Sequence, residues 1–169
     1  RLTASKRVDV LIRAFAEARD RVAGLHLEVI GDGPEETALR TLAADLGVGG
    51  AVAFRGRITD DELLDAYRRA RLVASASISE GWGMTLTEAA ACGTPAVATD
   101  IAGHRDAVID GRSGLLATTD HQLPDLLVEA VGSRWDQLSA GALTSATRFD
   151  WDRTATGAFR ILASTVPAP

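Results

Sequence analysis

Two glutamates, Glu80 and Glu88, flank the start of a helix in the stretch Ser79-Glu80-Gly81-Trp82-Gly83-Met84-Thr85-Leu86-Thr87-Glu88. Their carboxylates accept hydrogen bonds from hydroxyls, while the unpaired N–H groups of a first helical turn hold anions. Gly81 and Gly83 leave room for backbone to come close to a ligand. A polyhydroxylated ligand with a phosphate in its middle would use all of these groups at once. Its sugar hydroxyls would lie on Glu80 in the loop, its phosphate on the N–H groups, and its ribose on Glu88, a turn or more into the helix. Taken singly, each glutamate also has a plain explanation: a favourable charge near the helix macrodipole, or a solvated helix face.

The basic residues are lopsided, seventeen arginines against one lysine, Lys6. A lysine is a compact point charge on phosphate where arginine is a planar fork, so a lone lysine hints at a site that wanted an ammonium. Its survival in an arginine-biased composition is the alternative. Arg1 and Lys6 flank the turn before a helix whose apolar positions Val8, Leu11, Ile12 and Phe15 run at i, i+3, i+4, i+7. That places both cations on the loop side of any sheet the helix covers.

The elements that must position these groups alternate along the chain. Further helices are expected over Pro34 to Leu46, Asp60 to Ala70, Met84 to Cys92 and His121 to Val131. Strands are expected near Leu27–Ile30, Ala51–Phe54, Leu72–Ala76, Ala96–Thr99 and Gly114–Ala117. Such a series predicts an α/β fold, a Rossmann-like parallel sheet with flanking helices. Asp60 is expected to cap its helix, and Thr59-Asp60-Asp61-Glu62 has a metal-binding acidic pair as its lesser reading, with no histidine or further carboxylate spaced to complete a site. From about residue 134, Trp135, Leu138, Phe149, Trp151, Ala155, Ala158, Phe159 and Leu162 suggest one or two closing helices before Pro167.

At 169 residues, with 46% apolar and 24% charged side chains, the chain suits one domain, 1–169, with a full core. A net charge of −5 with both signs dispersed argues against a nucleic-acid track. No 18-residue apolar run, signal peptide or lipidation motif is evident. The single cysteine, Cys92, fits a reducing, cytoplasmic setting and reads as a small packed residue rather than a nucleophile.

The pattern E-G-x-G-x-x-x-x-E-A-x-A-x-G-T-P-x-V-A-T-D, from Glu80 to Asp100, is similar to the E-x7-E signature of retaining glycosyltransferases of the GT-B fold, the group 1 or family 4 type. Arg1-Leu2 with Lys6 resembles that family's R-x4-K phosphate motif, and Leu27 to Pro34 resembles its strand followed by G-D-G-P. Val52 to Ile58 and Asp110 to Leu116 fall where the family has similar runs. The resemblance implies a bacterial C-terminal donor-binding domain, the C-terminal half of a GT-B fold, cut from a longer protein. A strand before Arg1 and an N-terminal acceptor-binding domain would then lie outside this chain, and peripheral membrane contact of the parent stays open. Ala102-Gly103-His104-Arg105-Asp106 departs from the family's more usual G-G-x-x-E. Asp106 is one methylene shorter there, and His104 is expected to be a surface loop residue.

By that resemblance, Arg1, Lys6 and Glu80 are the catalytic group, with the two cations neutralising the leaving diphosphate in place of a metal and Glu80 holding donor sugar hydroxyls. Trp82, Gly83 and Met84 would help Glu80, Thr85 and Leu86 would offer N–H groups to the distal phosphate, and Glu88 would take the ribose. Gly31, Gly33, Arg57 and Ile58 would line the phosphate and base side. The implied partner is a nucleotide diphosphate sugar, with no cofactor and no metal. Two other classes remain. One is a nucleotide-sugar-binding module without transfer activity alone, and the other is another Rossmann-like enzyme such as a sugar-nucleotide epimerase. A nicotinamide dehydrogenase fits less well, because Gly31-Asp32-Gly33-Pro34 breaks the G-x-G-x-x-G pattern.

Overall fold

The computed structural model describes residues 1–150 together with Asp152, Thr154, Ala155, Thr156 and Arg160. Trp151, Ala158, Phe159 and Leu162, expected in the closing helices, lie outside the described residues, as does Pro167, before which those helices are expected to end. Over residues 1–150, five strands and seven α-helices form an α/β, Rossmann-like arrangement. The strands are β1 (Leu27–Ile30), β2 (Val52–Gly56), β3 (Val73–Ser75), β4 (Ala96–Thr99) and β5 (Gly114–Ala117). The helices are α1 (Val8–Arg19), α2 (Glu36–Asp45), α3 (Asp60–Arg69), α4 (Met84–Ala91), α5 (Ala102–Ala107), α6 (Leu123–Val131) and α7 (Trp135–Ala146).

All strand pairs are parallel, in two ladders: β1 beside β2, with Leu27 opposite Val52, and β3-β4-β5, with Val73 opposite Ala96 and Ala96 opposite Gly114. Among the described residues β1 has a partner only on its β2 side and β3 only on its β4 side. Helix α1 joins the ladders because it is apolar on two stripes. Leu11, Ala14 and Ala18 pack with Ala76, Val97, Leu115, Leu123 and Leu127 around the three-stranded ladder. Ile12 and Phe15 pack with Val29, Leu39 and Val52 around the other. Burying Ile12 and Leu123 completely contributes about 1.5–3 kcal/mol each.

Strand β4 is buried on both faces, and its alternation sorts its side chains. Val97 enters the cluster under α1 and α6, whereas Ala96 and Ala98 face Leu86, Ala107 and Val108 of the α4–α5 layer. Small residues let α4 sit between the sheet and α7: Ala89 and Ala90 are buried, and Ser139 Oγ donates to the Gly93 carbonyl at 2.7 Å. With every strand running the same way, the loops after β1, β2, β3, β4 and β5 gather at one edge, the place where parallel α/β sheets bind ligands.

Local chemistry moved some expected boundaries. Thr59, not Asp60, is the N-cap of α3: its hydroxyl accepts from the Glu62 N–H at 3.3 Å, while Glu62 accepts the Thr59 N–H at 2.8 Å. Residues Asp120–Gln122 form a 3-10 turn ahead of α6 rather than its first turn. Residues Ala102–Ala107, expected as loop, form the short helix α5.

Gly141 of α7 lies on the main chain of Arg112, where an added Cβ would overlap the carbonyl oxygen and carbon. Gly141→Ala should therefore destabilise the fold by about 1–3 kcal/mol in denaturant unfolding. Gly50→Ala, where an added Cβ meets nothing within 4 Å, should change stability little. Equal unfolding midpoints for the two variants would contradict this packing.

Candidate functional site

Lys6 reaches the loop edge through a tight turn. Ala4–Lys6 make one 3-10 turn, and Arg7 then adopts a left-handed conformation at φ 50° that opens α1. That conformation costs a residue with a side chain about 1–2 kcal/mol. It directs the Arg7 guanidinium to an ion pair with Asp120, just beyond β5. The Ile78 N–H donates to the Ser5 carbonyl at 3.0 Å, tying this turn to the β3–α4 loop.

That loop lies on α5. An added Cβ on Gly103 would overlap the main chain of Glu80, and the Gly83 N–H donates to the Gly103 carbonyl at 3.0 Å. Glu80 is thereby pressed toward Lys6, and the two form an ion pair between residues 74 apart in sequence. Ser77, itself buried, donates from Oγ to the same carboxylate oxygen, Oε1, at 2.7 Å. No described residue donates to the other oxygen, Oε2. Burial opposes charge on Glu80, but the hydrogen bonds from Lys6 and Ser77 and the Lys6 charge outweigh it. The carboxyl is held below its ordinary value and is ionised at neutral pH.

His104, expected on the surface, is 1% exposed on α5, because its ring fills the space under the loop and finds polar partners there. Its Nδ1 donates to the Thr99 carbonyl at 2.8 Å, and Nε2 lies 3.1 Å from Ser75 Oγ. Asp106, the other departure in that segment, is exposed.

At the N-terminus of α4, Gly83 is the N-cap and contributes no side-chain cap. The Leu86 N–H already donates to the Gly83 carbonyl at 2.9 Å and the Met84 N–H to Trp82 O at 3.0 Å, so Thr85 carries the first-turn N–H without an acceptor among the described residues. Trp82 and Met84 are exposed, and the Trp82 ring stands edge-on to Phe149 with centroids 5.3 Å apart. Among the described residues no atom lies within 4 Å of where a Cβ on Gly81 would be. Glu88 is exposed on the same helix and accepts a hydrogen bond from the Tyr67 hydroxyl at 2.9 Å.

The remaining sequence-derived residues gather after β1 and β2. Gly31, at φ 115°, lies beside the Arg1 main chain, and a Cβ on Gly33 would overlap Leu2, whose N–H donates to Asp32 O at 2.7 Å. Arg57 Nε donates to the Asp32 carboxylate at 2.8 Å, next to half-buried Ile58. The Arg1 guanidinium is exposed. The expected residues thus fall into three groups, around Glu80, around Glu88 and around Arg1. Residue type and spacing alone do not mark Ser75, Ser77, Tyr67 or His104 as site residues. The alternation Ser75-Ala76-Ser77 at a strand end and a histidine among the small residues of α5 were their only signals.

A cleft of about 220 Å³ adjoins the Glu80 loop, lined by Arg7, Ser77, Ile78, Thr99, Asp100 and Thr119 among others. A larger one, about 350 Å³, lies at Asp100, Arg105, Asp110 and Thr118. Glu80 and Glu88 line neither, and stand on an open edge. Among the described residues no group of three or more His, Cys, Asp or Glu is placed to hold a metal ion, and no helix is long and apolar enough to cross a membrane.

Residues 1–133 match the family model of glycosyl transferases group 1. The chain is 39% identical over 172 residues to the D-inositol 3-phosphate glycosyltransferase of Acidothermus cellulolyticus, covering 93% of this chain and 38% of that protein. It is 38% identical to the enzyme of that name from Mycobacteroides abscessus, over 92% of this chain and 36% of the relative. The chain therefore spans less than two fifths of these relatives. Among solved structures it resembles Anabaena HepE in complex with UDP and glucose, with a TM-score of 0.84 and 24% identity, covering 97% of this chain and 46% of that one. It also resembles a chain of the GtfA/B complex, with a TM-score of 0.81 and 27% identity, over 97% of this chain and 34% of the other.

The Tyr67–Glu88 contact is directly measurable because Tyr67 is the chain's one tyrosine. Burial above all, then the hydrogen bond to Glu88 and its charge, push the phenol well above its ordinary value. A pKa raised in the folded state gives stability that is intact below the unfolded value, about 10, and is lost as pH rises beyond it. The phenolate absorbance band should stay absent at that pH while circular dichroism remains native. Half-ionisation near the ordinary value in folded protein would contradict the contact.

Proposed function

This chain belongs to the group 1 glycosyl transferase family, and on that premise we propose that it is the donor-binding half of a retaining glycosyltransferase of the GT-B fold. The parent enzyme moves a sugar from a nucleoside diphosphate onto an acceptor hydroxyl. The observation that carries the reading is the meeting of Lys6, Glu80 and the N-terminus of α4 at one open edge. The ionised Glu80 offers Oε2 to the hydroxyls of the donor sugar. Lys6 spends one of three ammonium donors on Glu80 and turns the others to the diphosphate. The Thr85 N–H and the exposed Arg1 add to that positive field.

As the bond between anomeric carbon and phosphate oxygen breaks, the diphosphate keeps the electron pair. Fixed cations and backbone donors aimed at it lower the barrier without rearranging. Glu88 takes the ribose hydroxyls, and Gly31, Gly33, Arg57 and Ile58 border the phosphate and base. The UDP and glucose bound in HepE favour a UDP-sugar as the first donor to test. No metal is required, since Lys6 and Arg1 supply the countercharge, and the free Cys92 suits a cytoplasmic enzyme. Groups that hold the acceptor lie on an N-terminal domain of the parent, in keeping with relatives more than twice as long as the match.

The glutamates should separate in calorimetry. Glu88→Ala should weaken UDP and UDP-glucose alike, and Glu80→Ala should weaken mainly UDP-glucose, each by about 1.5–3 kcal/mol for a lost charge-assisted hydrogen bond. Equal losses for both ligands in the Glu80 variant would contradict the division. Chelator should leave UDP affinity unchanged, and binding that vanished on chelation would overturn the metal-free reading.

Transfer is the second test. The isolated chain should bind donor yet show no acceptor-dependent turnover, because holding the acceptor in place supplies about 7–11 kcal/mol of barrier lowering that half a cleft lacks. Turnover by the 169-residue chain alone would show the two-domain reading to be wrong.

A further inference from the structure

A buried imidazole lies two hydroxyls away from Glu80. The Thr99 carbonyl can only accept, so His104 Nδ1, 2.8 Å from it, carries a hydrogen. In the neutral ring Nε2 is then bare, and Ser75 Oγ, at 3.1 Å, donates to it. Ser77 Oγ spends its hydrogen on Glu80 Oε1 at 2.7 Å. Ser75 and Ser77 lie 3.3 Å apart with no hydrogen left to share. Thr99 also fixes the backbone of this path, its hydroxyl donating to the Ser77 carbonyl at 2.8 Å.

We propose that His104 is a positioning residue for the sugar site: its neutral ring takes the Ser75 hydrogen and seats that hydroxyl against Ser77 Oγ, so that Ser77 gives its own hydrogen to Glu80 Oε1 and leaves Oε2 toward the donor. The sugar-site part rests on the donor-binding reading above. Protonating Nε2 would turn the Ser75 hydroxyl round: the ring donates to Ser75 and Ser75 to Ser77, while Ser77 goes on donating to Glu80. One continuous row of donors would then end on the carboxylate and bring a second positive charge beside Lys6. The charged groups that face the ring are Glu80, which favours its protonation, and Lys6, which opposes it. Burial is the largest influence and holds the imidazole below its ordinary value, so the ring is neutral at pH 7 and charges only on acidification.

The path has two independent readouts. Carbon-detected carboxyl titration of Glu80 in the chain should show a second inflection where the His104 ring protonates, and Ser75→Ala should shrink it to the part carried by the direct interaction of the two charges. In calorimetry at pH 7, His104→Leu should weaken UDP-glucose about tenfold and UDP less than about twofold, the scale of one hydrogen bond. His104→Gln, which can return an acceptor to Ser75, should restore UDP-glucose affinity without pH dependence. An unchanged inflection in Ser75→Ala overturns the proposal, and so do equal losses of both ligands in His104→Leu that Gln does not rescue. If the inflection is present and reduced by Ser75→Ala while the wild-type chain binds neither UDP nor UDP-glucose, the positioning of Glu80 stands and the donor-site reading falls.

Discussion

The contact between Lys6 and Glu80 organises the whole loop edge, and almost everything around it exists to make that contact. Desolvation of the partly buried Glu80 carboxylate takes back much of what the ion pair gains, so Coulomb attraction alone would not hold together two segments 74 residues apart. The main chain does that work: Ser5 and Ile78 share a hydrogen bond, and Gly103 lets α5 lie against Glu80 without a Cβ between them. Once the segments are fixed, the side chains meet at little further entropic cost. The second hydrogen bond from Ser77 then offsets the desolvation of a carboxylate that is half-hidden from water.

The same constraint explains why the apolar framework takes the form it does. Helix α1 must deliver Lys6 at its start while covering both ladders, and two adjacent stripes of apolar residues on one helix accomplish this. The β4 strand delivers Thr99 and Asp100 to the edge and must be buried on both faces to do so. Its small side chains keep α4 and α5 close enough to the sheet for their ends to reach the loop.

Helix α4 carries two carboxylate sites of different character. Glu80 before it is ionised, partly buried and braced by a cation and a buried serine. Glu88 within it is exposed and braced by a neutral phenol donor. A rigid carboxylate suits hydroxyls whose arrangement must be discriminated, and a more solvated one suits a group that is merely held.

The alternation of strands and helices was legible in the sequence because each element here carries its own period: four apolar positions at helical spacing in α1 and short apolar runs for the strands. The glutamates, Lys6 and the glycines were legible for the same reason, as local patterns of residue type and spacing. What no local pattern carries is which side chains meet across the fold. That His104 is buried under the loop, that Tyr67 braces Glu88, that Leu86 turns its N–H to Gly83 and leaves Thr85 as the free donor, and that Thr59 rather than Asp60 caps α3 were all decided in three dimensions. Hydrogen bonds act over about 3 Å, whereas the residues that make these contacts are brought within reach only by the packing of α5 on the β3–α4 loop and of α3 against α4. The sequence determined the parts and their polarity, and the close approach of small residues decided which polar groups face one another.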